Sequence, residues 1–181
     1  MSDGSGIPSA SKRSTAQSGG SMSSMTPTSE QDFASVKAQL GREPRGRWSV
    51  ARRCACGKPQ VLQTHPRLDD GTPFPTLYWL TCKKLSSQIG GLESSGWMGG
   101  LNRRLADDPE FHAALARSTE AYVGRRDELD PLGPTSHPGG GPDRIKCLHA
   151  HTAHHLVSDD NPAGAEVLRE LDWRDPERPC V

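Results

Sequence analysis

Three regimes follow one another in the pattern of apolar and polar positions. Up to residue 28 there is no period at all: Ser, Thr and Gly fill 16 of the 28 positions. Such a stretch buries too little surface to offset the entropy of ordering it, which predicts a disordered leader over 1–28. From Ser29 a helical period begins. Ser29 is placed to cap, Glu30 and Asp32 suit the positive end of a helix dipole, and Phe33, Val36 and Leu40 follow before a stop at Gly41. From Arg47 the period shortens to two, predicting strands over 48–51, 60–63 and 76–81. A tight turn over 54–59 and a wider connection over 66–75, with Asp69, Asp70 and Gly71 inside it, join them into an antiparallel meander.

After Cys82 the helical period returns. Leu85, Ile89 and Leu92 form one stripe ending at Gly96, and Leu101 and Leu105 mark a second short piece. Asp108-Pro109 opens a longer helix that carries Phe111, Leu115, Ser118 and Tyr122 to about Asp130. Residues 131–143, rich in Pro and Gly, read as a mobile connector, and 145–157 as a helix. Asn161-Pro162 reads as a break before a last helical piece over 165–171. The expectation is an α+β fold: a single domain over 29–172 with a small three-stranded meander packed against several helices, and a tail over 173–181.

Composition narrows the functional classes. Hydrophobic residues are 33% and aromatics 5%, with 19 Gly and 15 Pro, so the core is modest and turns are many. Twenty-two basic and 22 acidic side chains cancel, which removes any whole-chain attraction to nucleic acid or acidic membranes. No apolar run approaches the roughly 18 residues that a spanning helix needs. No basic-then-apolar segment opens the chain, so a cytoplasmic protein is expected. Charge is nevertheless uneven: five arginines against Glu43 over 42–53, seven acids against three arginines over 159–178. With no aromatic series interleaved, Arg45, Arg47, Arg52 and Arg53 read as part of two solvated surfaces that face each other, not as a nucleic-acid patch.

The densest chemistry lies in 147–155, where Cys147, His149, His151, His154 and His155 place five potential metal ligands in nine residues. On a continuous helix advancing about 100° per residue, His151 and His154 share a face with Cys147 while His149 points away. In a meander the first and third strands run the same way, so Cys54 and Cys82 emerge at one end. If the Cys147 helix crosses that end, Cys54, Cys82, Cys147 and His151 make a Cys₃His set suited to structural zinc, with His154 and then Cys56 as substitutes. Ion binding would then supply folding energy that a lean core lacks. Two other readings stand beside it. One is a set of buried reduced thiols with histidines on a half-exposed helix. The other is catalytic: Cys147 at a helix start with His151 as base, and Gly139, Gly140, Gly141 and Arg144 cradling an anion. Cys180, beside the C-terminus, reads as a free thiol on a frayed end.

Four segments carry a resemblance: 39–42 through Arg53-Cys54, Asp70-Gly71-Thr72-Pro73-Phe74-Pro75 through Thr81-Cys82, Lys146-Cys147-Leu148-His149-Ala150-His151, and Asn161-Pro162-Ala163-Gly164. Over about 30–165 the chain resembles the bacterial family known as domain of unknown function 501. It departs from that family's pattern at Cys56, Lys58, Lys83 and Ala163, and the first departure favours Cys54 over Cys56 as a ligand. The resemblance implies a domain, not a reaction, and a gene context tied to cell division, the envelope or phosphate metabolism. The expectation is a small cytoplasmic module with a structural zinc, acting through an unidentified protein partner. The contender is a cysteine- or metal-dependent enzyme on a phosphate-bearing or other anionic substrate.

Overall fold

The computed structural model describes residues 28–134 and 137–175. Helix α1 (Glu30–Leu40) and strands β1 (Trp48–Arg53), β2 (Pro59–Thr64) and β3 (Tyr78–Leu80) come first. Helices α2 (Lys83–Ser94), α3 (Trp97–Asp107), α4 (Pro109–Asp127), α5 (Leu148–Ser158) and α6 (Pro162–Glu170) follow. The strands pair antiparallel in the order β1-β2-β3, so the α+β meander is the fold. All of the expected leader but Thr28, and Cys180 with most of the expected tail, lie outside the described residues.

Strand β2 explains the layering. Its side chains alternate between faces, and both faces are covered. Val61 joins the main core with Leu80, Leu85, Ile89, Leu115, Leu148 and Val167. Leu62 points the other way, into a small cluster with Val36 and Val50 beneath α1. Ser29 and Asp32 close a reciprocal capping box on α1: the Ser29 Oγ accepts from the Asp32 N–H at 3.2 Å and the Asp32 carboxylate accepts from the Ser29 N–H at 2.9 Å. Phe33, expected on the buried stripe, is 53% exposed and packs at a tilt on Trp48, because the small cluster takes only Val36 and part of Leu40 from this helix.

Two helix starts differ from the sequence expectation by three residues, each for a local reason. Asn161-Pro162 does separate the two helices, and it is also the start of α6, expected only from residue 165. The Asn161 Oδ1 accepts from the Gly164 N–H at 2.9 Å, and Pro162 takes the first helical position, where its missing N–H costs nothing. Helix α5 begins at Leu148, three residues later than expected, and Cys147 is its N-cap in extended conformation (φ −147°). What holds 145–147 out of the helix is the supposed connector. Gly140 bridges Ile145, and the Lys146 and Cys147 N–H groups donate to the Gly139 carbonyl at 2.6 and 3.1 Å. The second half of 131–143 is therefore tied down. A Cβ at Gly139 would lie 2.8 Å from the His151 ring, so nothing larger fits there.

The basic segment meets the acidic one through Arg52, while Arg53 turns to α1. Arg52 pairs with Asp175 at 3.0 Å and also donates to Gln60 and to the Leu156 carbonyl. Arg53 pairs with Asp32 at 2.6 Å. Among the described residues no helix is long and apolar enough to cross a membrane.

Candidate functional site

A cavity of about 530 Å³ lies between β3, α2 and the start of α5. Phe74, Tyr78 and Trp79 form much of its wall, Arg42 stands at it, and Cys147 and His149 line it from the α5 side. Because Cys147 is a cap, the 100° advance does not run through it, and His149 turns back toward it instead of pointing away. Glu93, the single acid of α2, completes the group. Its Oε1 accepts from the Leu148 N–H at 2.7 Å and lies 3.3 Å from the His149 Nδ1. Among the described residues, Glu93, Cys147 and His149 are the group whose potential ligand atoms all lie within 4.8 Å of one another, and all three are half-buried.

The electrostatics favour charge here. Burial works against a Cys147 thiolate, but the hydrogen bond from His149 and the Ala150 N–H at the head of α5 outweigh it, and the thiol is held below its ordinary range. The same Cys147 contact, helped by the Ser86 carbonyl and the Glu93 charge, raises His149 to about 9 against its burial. The His149 Nε2–H donates to that carbonyl at 3.0 Å. This fixes the ring and leaves Nδ1 for Glu93, Cys147 or an ion, as a partner behind a liganding histidine commonly does.

The remaining histidines of α5 behave in the opposite way. His151 and His154 are fully buried and meet His137, 2% exposed, from the loop before the helix. The His137 and His151 rings stack at 4.5 Å, and those of His137 and His154 at 5.3 Å. The Asn161 Nδ2 reaches the Nδ1 atoms of His151 and His154 and the Ser118 hydroxyl at 3.0–3.1 Å. His151 Nε2–H donates to the Gly139 carbonyl at 3.1 Å, so both of its ring nitrogens are committed. Burial drives His151 and His154 down to about 4 and His137 further still, with their mutual repulsion adding to it at His137 and His154. At neutral pH these rings carry no charge.

Of the residues the sequence singled out, the structure brings Cys147 to Glu93 and His149. Cys54 and Cys82 are both buried and share one end of the sheet, as the meander requires, Cys54 after β1 and Cys82 as the N-cap of α2. Burial pushes the Cys54 thiol up to about 12, with Cys56 as its hydrogen-bonded neighbour. The group at Cys147 includes neither of them, nor His151 or His154. The anion cradle expected at Gly139–Gly141 is instead turned inward: the Gly139 carbonyl takes three donors and its N–H is spent on the His137 Nδ1. Sequence reasoning counted His149 among the potential ligands but set it on the far face of the helix, and it did not single out Glu93. The available signal was the lone acid of α2, seven residues beyond Ser86 and hence on the same helical face.

A family model described as "Protein of unknown function (DUF501)" matches residues 50–169. Neither the curated proteins nor the solved structures contain a significant match.

Proposed function

The chain belongs to the DUF501 family, and we propose from its own site that the protein is a metal-dependent enzyme whose divalent ion, zinc by preference, is held by Glu93, Cys147 and His149. The observation that carries this reading is that one carboxylate, one thiol and one imidazole converge within 4.8 Å, two of them on the wall of a sizeable cavity. A mixed O, S, N donor set suits Zn²⁺, and three protein ligands leave one tetrahedral position for water or substrate. The sequence expectation of a closed Cys₃His staple would instead require His151 to give up Gly139 and Asn161.

Zinc-loaded and dialysed full-length protein should retain about one equivalent of metal. Cys147→Ser and His149→Ala should each weaken retention by more than about tenfold, and Cys54→Ser and Cys82→Ser should not. Metal lost from the Cys54 and Cys82 variants but kept by His149→Ala would move the ion to the other set. One second reading has its own support. The paired shifts of Cys147 down and His149 up describe a thiolate–imidazolium couple, the resting state of a cysteine nucleophile. Rapid alkylation of Cys147 by iodoacetamide in a protein that retains no zinc is the outcome that selects it.

A further inference from the structure

Among the described residues, Arg42 is the one cation on the wall of the 530 Å³ cavity besides the histidine already described. It differs from its neighbours in the arginine-rich segment. Arg52 and Arg53 are spent on Asp175 and Asp32, and Arg47 on His65. The Arg42 guanidinium lies over the Trp79 ring, 5.2 Å from its centroid, and its hydrogen bond is a 3.3 Å contact to the adjacent Glu43 carbonyl. An aromatic face holds a guanidinium flat without consuming its N–H donors, which keeps the fork ready for a planar pair of oxygens. Trp79 in turn packs against Phe74 at 5.9 Å, and both rings are only half-buried on the cavity wall.

Three requirements on a ligand follow. The aromatic wall favours a flat apolar ring. Arg42 favours an oxyanion that offers two oxygens to its fork. The group of Glu93, Cys147 and His149, on the metal-site reading above on which this step rests, offers one open position to a further oxygen. A carboxylate has two oxygens and a phosphate monoester three terminal ones, so a phosphate that gives two oxygens to Arg42 keeps a third for the other group. The volume lies within the range of about 300–1,000 Å³ typical of small-molecule sites.

We propose that this cavity binds a phosphate monoester carried on a planar ring, with Arg42 on the phosphate, Phe74 and Trp79 on the ring, and the Glu93–Cys147–His149 end facing the remaining phosphate oxygen. The test is calorimetric titration of the full chain, with and without zinc, using adenosine monophosphate, phenyl phosphate, adenosine, benzoate and inorganic phosphate. The two ring phosphates should bind at least about tenfold more tightly than the other three, since removing either the ring or the third oxygen removes a set of contacts. Arg42→Gln, at an exposed position, should weaken the ring phosphates by about tenfold and leave adenosine unchanged. Trp79→Leu should weaken every ring compound and, by releasing Arg42 from its aromatic support, weaken inorganic phosphate by a smaller factor. Trp79→Phe should restore them and guards against a folding defect in the leucine variant.

Benzoate equal to phenyl phosphate, adenosine or inorganic phosphate equal to adenosine monophosphate, or no binding at all, would overturn the proposal. Zinc retention is measured separately on the same samples. Ring phosphates that bind through Arg42 in protein retaining no zinc would uphold the cavity assignment and remove the metal reading. Retained zinc without phosphate binding would do the reverse.

Discussion

Two groups of histidine sit on one helix barely a turn apart and differ in everything but residue type. His149 is half-buried, faces a thiol and a carboxylate, and is held charged. His151 and His154 are sealed among one another, His137 and Asn161, with the Asp160–Arg125 ion pair at the outer edge of His154, and are held neutral. Burial alone would lower all of them. What separates them is the balance: at His149 the thiol and carboxylate outweigh burial, whereas at His151 no charged partner opposes it, and at His154 the Asp160 carboxylate 3.0 Å away is countered by Arg125 and burial prevails. The first group is arranged to meet a solute and the second to pack, so the clustering of histidines along 149–155 is not one site but two with opposite requirements.

The largest expected effect is acid lability of the buried group. A histidine neutral in the folded chain binds fewer protons than its unfolded counterpart once pH drops below the ordinary imidazole value near 6.5. Stability is therefore fully present above that value and is lost as pH falls toward about 4. His151 alone accounts for about 3 kcal/mol over that window, and His137 and His154 add to the loss in the same direction. Urea unfolding midpoints measured from pH 8 to pH 4.5 check this. A flat profile down to pH 5 would mean that the rings are charged or solvated, and the contrast with His149 would disappear. Asp32, held low by its hydrogen bond with Arg53, acts in a separate window, since its contribution is lost only below the ordinary carboxylate range.

Next is Asn161→Ala. It removes the α6 cap and the shared donor of His151, His154 and Ser118 at once, and should cost about 2–3 kcal/mol. Denaturant midpoints would show it, and zinc retention by the folded fraction should be unchanged if the two groups are independent. The smallest stability change is expected for Glu93→Gln, about 1 kcal/mol or less, because the amide oxygen still accepts from the Leu148 N–H. Its effect on metal retention should be large by comparison. A variant that lost stability but kept its metal would reverse the assignment of Glu93.

The fold was legible where local signals agree with packing. Ser29, Gly41, Gly96 and Asp108 mark helix ends in the sequence and in the structure, and the three strands fall where the period changes. Legibility failed where one residue has two jobs. Asn161 reads as a breaker because Pro follows it, yet it caps α6 with its oxygen and serves the histidines with its nitrogen. Cys147 reads as helical because the polar and apolar spacing around it is helical. Its extended conformation is imposed by Gly139, eight positions away, and that single displacement exchanges His151 for His149 as its partner. The role of Glu93 depends on how α2 docks against α5, which no local pattern records.

The Gly139 carbonyl has a consequence beyond its own loop. One oxygen accepts from two successive backbone N–H groups at the threshold of α5 and from a ring nitrogen in the deepest part of the molecule. The Cys147 backbone is thus tied to the interior through that oxygen. Bulk added far inside, at His137 or beside His151, would be transmitted along that tether and would swing the thiol out of register with its carboxylate and imidazole, even though no altered residue touched the cavity.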